Sequence, residues 1–65
     1  MGDLMSQPEV AELTRIPVET LRYLRWRGEG PRSFKLGRRV MYERADVLQW
    51  IEEQKAATGR GGTAA

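Results

Sequence analysis

The sequence predicts a mostly α-helical domain carrying one small β-hairpin, in the order helix, helix, hairpin, helix. Three observations carry that prediction. Apolar residues recur at helical spacing on both sides of a single break at "TRIP", residues 14–17; "SFKLGRRVMY", residues 33–42, alternates apolar with polar around a glycine; and helical spacing resumes from Arg44. With 65 residues the chain forms one domain, burying only roughly 60% of the surface its unfolded form exposes. We assign the domain to residues 1–58. Residues 59–65 are glycine, alanine, threonine and arginine without periodicity, and are expected to form a disordered tail.

The first helix spans about residues 7–13. It is announced by "SQPE", an S-x-x-E capping box in which Ser6 and Glu9 each satisfy an otherwise orphan amide at the other position. Met5 before the cap and Val10 inside the helix are spaced as a hydrophobic staple, and Val10 and Leu13 share one face. The start "MGDLMS" also matches the myristoylation pattern at Gly2, but Ser6 already has its local role in the cap. Pro17 disfavours helix at Ile16 and is tolerated where a new helix begins.

The second helix runs to about Arg27. At 100° per residue, Val18, Leu21, Leu24 and the stem of Arg25 fall on one side. Glu19, Arg22, Tyr23 and Trp26 fall on the other, at i, i+3, i+4 and i+7. A helix needs one apolar stripe to join a core, so this second face of rings and guanidinium groups points outward. "GEGP" stops the helix, because Gly28 and Gly30 can take left-handed conformations and Pro31 cannot continue it.

In the hairpin, Phe34, Leu36, Val40 and Tyr42 are expected inward, with Lys35, Arg39 and Met41 between them. Gly37 begins the turn, and Arg38 and Arg39 ride on or just past its tip. The third helix directs Val47, Leu48 and Ile51 inward with Trp50 beside them as core, and Asp46, Gln49, Glu52 and Glu53 outward.

Composition excludes several functions. There is no cysteine and no histidine, which removes disulfides, thiolate nucleophiles and the usual zinc ligands. No stretch approaches the roughly 18 apolar residues of a membrane span, and "MGDLMSQPEV" has no basic region followed by an apolar one, so neither an anchor nor a secretory leader is expected. Neither an acid/base pair in a pocket nor a phosphate-cradling glycine loop is present, so no enzyme and no cofactor is expected. Net charge is +2, but its distribution is polarised: nine cations and three anions between Thr14 and Arg44 give +6, and the remainder carries −4. Eight of the nine central cations are arginine, which makes flat bidentate contacts with phosphate or guanine.

Two helices around a tight turn, a hairpin wing and a third helix describe a winged helix-turn-helix. The stretches "VAEL", "ETLRYLRWRGEGP", "KLGRRVMY" and "RADVLQWI" resemble the small excisionase-type DNA-binding domains, which are related to the MerR and AlpA-like regulators of phages and bacteria. The resemblance covers about residues 5–53. It implies that the second helix reads the major groove of double-stranded DNA while the wing reaches backbone or minor groove, and that the protein works on DNA in a bacterial cytoplasm. The expected DNA-contacting residues are Glu19, Thr20, Arg22, Tyr23, Trp26, Arg27, Lys35, Arg38 and Arg39. On the family pattern Arg22 and Tyr23 touch phosphates, while Glu19 departs from the polar or basic residue usual at its place.

As an excisionase, a recombination directionality factor, the protein would bind tandem attachment-site repeats cooperatively, bend them and direct a phage integrase toward excision. The alternative is a small transcriptional repressor of the same fold. Trp26 also has two readings, an exposed contact or a core residue folded under the wing onto Phe34. Neutralising roughly five or six phosphates corresponds to a log–log salt slope of about −4.5 to −5.5.

Overall fold

The computed structural model describes residues 3–62. Gly2 of the myristoylation pattern and residues 63–65 of the expected tail lie outside them. The elements are β1 (Leu4–Ser6), α1 (Gln7–Thr14), α2 (Val18–Arg27), β2 (Phe34–Leu36), β3 (Arg39–Glu43) and α3 (Arg44–Thr58). The strands form one antiparallel sheet in the order β1-β3-β2. Three helices and this sheet make a winged helix-turn-helix, as the sequence predicts.

The capping box forms as read: the Glu9 amide donates to Ser6 Oγ at 3.3 Å, and the Ser6 amide donates to Glu9 Oε1 at 2.8 Å. Met5 and Val10 on either side of it are both buried in the core. Ser6→Ala is expected to cost roughly 0.5–2 kcal/mol, read as a lower midpoint in thermal or urea unfolding. An unchanged midpoint would show that the cap contributes nothing.

Helix α1 ends on Arg15 in the left-handed region at φ 63°, while Thr14 Oγ1 donates to the Val10 carbonyl at 2.7 Å and accepts from the Ile16 amide. The Pro17 carbonyl then accepts from the amides of Thr20 and Leu21, each at 3.0 Å, and α2 begins. At the other end of α2, Gly28 at φ 74° donates to the Arg25 carbonyl and Glu29 donates to the Leu24 carbonyl. That pair of bonds is a Schellman motif, and it requires the left-handed residue that glycine supplies.

Two features differ from the sequence expectation. Strand β1 is an addition: Met5 pairs with Tyr42 and Ser6 with Met41, and the ladder continues in the bond from the Arg44 amide to the Asp3 carbonyl. The hairpin phase is a correction. Leu36 pairs with Arg39, so the turn has only two residues, Gly37 and Arg38, with Gly37 at φ 65°. In a two-residue turn the residues directly opposite share a face, which puts Phe34 with Met41 and Leu36 with Arg39. Phe34 and Leu36 therefore lie on the exposed outer face, and Lys35 shares the face of Val40. The expected set of Phe34, Leu36, Val40 and Tyr42 would need an odd number of loop residues.

The core consists of Met5, Val10, Leu21, Tyr42 and Val47, one residue from each element except the edge strand β2. Ala11, Ile16, Val40 and Ile51 pack against it. Helix α3 leans on the sheet along the i, i+4 stripe of Val47 and Ile51, which leaves Leu48, expected inward, 43% exposed. Trp50 is not core either. It is half-buried, and its Nε1 donates to the Glu29 carbonyl at 3.0 Å, tying α3 to the loop that follows α2.

Candidate nucleic-acid interface

Helix α2 presents Glu19, Thr20, Arg22, Tyr23, Trp26 and Arg27 to solvent. Trp26 is 80% exposed, so it does not fold under the wing onto Phe34. An indole left in water on a 65-residue domain forgoes core area that such a small protein needs. Tyr23 and Trp26, three positions apart, hold their rings 6.1 Å between centroids at a 33° tilt. Arg27 completes the cluster one helical turn beyond Tyr23. Its Cζ stands 5.7 Å from the Tyr23 ring centroid, and Nη1 donates to the Tyr23 hydroxyl at 3.2 Å. Nη2 reaches Glu29 Oε2 at 3.1 Å. The Tyr23 hydroxyl, then the Glu29 carboxylate, raise the Arg27 pKa further above its already high ordinary value, so the guanidinium is permanently charged.

The wing supplies a second group of cations. Arg38 occupies the two-residue turn and Arg39 opens β3. Together with Arg22 of α2 they line one hollow of about 400 Å³, whose other walls are Ser6, Gln7 and Pro8 at the start of α1, and Val40. The second helix and the wing turn thus meet on one side of the molecule. Lys35 is exposed and shares the face of Val40. Arg22, Arg38 and Arg39 have no carboxylate partner among the described residues, and Glu19 pairs with no cation there.

Other charges have different places. Arg25 Nε donates to Ser33 Oγ at 2.9 Å and ties α2 to the approach to β2. Asp3, Glu9 and Glu12 line a separate hollow with Leu4, Met5, Leu13 and Arg44. Three carboxylates thus gather in one hollow, beside Arg44, and three guanidinium groups in another.

Sequence reasoning identified the outward face of α2 and the wing arginines, because both follow from local spacing. It missed two things. Ser6, Gln7 and Pro8 enter the arginine hollow only because β1 pairs with β3 and brings the start of α1 against the wing. Glu29 stands in the sequence as part of a helix stop, and its place just after Gly28, two residues from Arg27, also puts it within reach of that cation.

No group of three or more histidine, cysteine, aspartate or glutamate residues suited to hold a metal ion occurs among the described residues. No helix among them is long and apolar enough to cross a membrane.

Two short helices joined through a tight turn, a wing beside the second of them, and unpaired arginines with exposed rings along both define the class: a DNA-binding helix-turn-helix module. A family model described as a helix-turn-helix domain matches residues 4–55, and the chain belongs to that family, which includes excisionase-like DNA-binding domains. Such domains bind double-stranded DNA and are typically non-enzymatic. No curated protein and no solved structure matches the chain.

Proposed function

We propose that this protein is an excisionase, a recombination directionality factor that binds repeated sites in attachment DNA inside a bacterial cell and biases an integrase toward excision. The observation that carries the reading is the shared hollow of Arg22, Arg38 and Arg39 beside the exposed rings of Tyr23 and Trp26. In this reading Glu19, Thr20, Arg22, Tyr23 and Trp26 enter or border the major groove, and Lys35, Arg38 and Arg39 hold the flanking backbone or minor groove. Residues 1–58 act as the binding unit, with 59–65 outside it.

A single module of this size covers on the order of 600–1,000 Å² of interface. Sequence selectivity therefore grows by placing several copies side by side. The two hollows support such an array, because the three carboxylates of Asp3, Glu9 and Glu12, which outnumber the one cation beside them, Arg44, are complementary in charge to the arginine side of the next copy. Copies in register along one face of the duplex would bend it, and a bent attachment site is a substrate an integrase can excise.

The test is a recombination assay with the integrase of the source element, run with footprinting on its attachment region. Added protein is expected to raise excision and to protect phased repeats in an ordered series. Unchanged excision together with protection of a promoter would instead make the protein a repressor. Independent, unordered occupancy of the repeats would overturn the cooperative array.

A further inference from the structure

Among the arginines on the proposed DNA-facing side, Arg27 alone is engaged by a carboxylate of the described residues. Its guanidinium is shared between the Tyr23 ring, the Tyr23 hydroxyl and Glu29. Glu29 is itself fixed through its backbone: its amide donates to the Leu24 carbonyl at 2.9 Å, and its carbonyl accepts from Trp50 Nε1 at 3.0 Å. The carboxylate is thus presented from an anchored position rather than from a loose loop. Both Arg27 and Glu29 are about half exposed, and an ion pair of that kind adds little to stability. Its effect is on what Arg27 is free to do.

A guanidinium at the exposed end of α2 would be attracted to any duplex, because phosphate is present in every sequence. Held by Glu29, the same group steadies the Tyr23 ring against Trp26. It also donates to the Tyr23 oxygen, which leaves the phenolic hydrogen free to point at an acceptor outside the protein. We propose that Glu29 is a specificity-determining residue for DNA recognition, which withholds Arg27 from phosphate and makes it a positioning residue for the Tyr23 and Trp26 rings. This rests on the reading that the α2 face meets the duplex, and adds that one acidic side chain lowers sequence-independent binding there.

The test uses the full chain and measures affinity against salt for the footprinted target and for a random duplex. Glu29→Gln keeps the shape and removes the charge. It is expected to steepen the log–log salt slope by about 0.9, the value of one additional phosphate contact. Near 0.1 M salt that corresponds to a roughly five- to tenfold gain on random DNA by the same relation, with a smaller gain on the target, so the ratio between the two falls. Adding Arg27→Gln to Glu29→Gln is expected to return the slope to that of the parent protein. Arg27→Gln alone is expected to weaken target binding without changing the slope.

An unchanged slope in Glu29→Gln would show that Glu29 does not withhold Arg27 from phosphate, and a slope flattened by about one unit in Arg27→Gln alone would show that Arg27 already contacts phosphate; either result would overturn the proposal. Trp26→Ala and Arg22→Gln serve as the separate check on the α2 face. If both leave target binding untouched, the face itself is misassigned and the role of Glu29 falls with it. All four positions are exposed, so thermal melts will confirm that each variant folds.

Discussion

Reversing the charge of Arg22, Arg38 and Arg39 together is expected to abolish measurable duplex binding while leaving the melting temperature within a few degrees of the parent protein. The three guanidinium groups line one hollow and have no carboxylate partners among the described residues, so their removal breaks no ion pair inside the fold. Their effect on DNA is cumulative. Each phosphate contact contributes about 0.9 to the log–log salt slope, so the milder triple glutamine variant is expected to lose about 2.7 of an initial slope near −5. Carboxylates at the same places add repulsion to that loss, and an affinity drop of a thousandfold or more is expected. Fluorescence anisotropy on a labelled target duplex, repeated at several salt concentrations, reads both numbers. Binding that survives the reversal would place the duplex elsewhere on the molecule.

Leu21→Ala is expected to have the largest effect on stability. Leu21 is 1% exposed and packs with Val10, Tyr42, Met5 and Val47 on the inner side of α2. Truncating a buried leucine costs roughly 2–5 kcal/mol from lost transfer energy and the cavity left behind. At about 0.05–0.15 kcal/mol per residue a domain of this length has roughly 3–10 kcal/mol in all, so the variant gives up on the order of half of it and should unfold at a markedly lower urea concentration. Urea denaturation followed by circular dichroism checks it. A midpoint close to that of the parent would mean that Leu21 is not part of the central packing. Because Arg22 is the very next residue, the pair separates the two faces of α2: one substitution should weaken the fold and the other only the binding.

What was legible in the sequence was what depends on near neighbours. The Ser6 and Glu9 cap, the break at Ile16 and Pro17, the stop at Gly28 and the two sides of α2 are decided within a few residues, and all of them form as read. The hairpin phase was not legible, because "KLGRRV" allows a two-residue or a longer turn, and each choice moves Phe34 and Leu36 to a different face. Strand β1 was invisible for a related reason. Three residues carry no periodicity of their own, and Leu4–Ser6 becomes a strand only by pairing with β3 some 37 residues later in the chain, Tyr42 opposite Met5. Trp50 shows a further limit, since helical spacing put it near the core but could not show that its indole nitrogen would find the Glu29 carbonyl.

The most direct test of the central claim is a backbone-amide NMR titration of the protein with its footprinted duplex. The account predicts that amides of residues 19–26 on α2 and 35–39 on the wing shift together, with one affinity, while those of the exposed end of α3, residues 52–58, stay in place. Shifts confined to α3, or wing and α2 responding at different duplex concentrations, would contradict it.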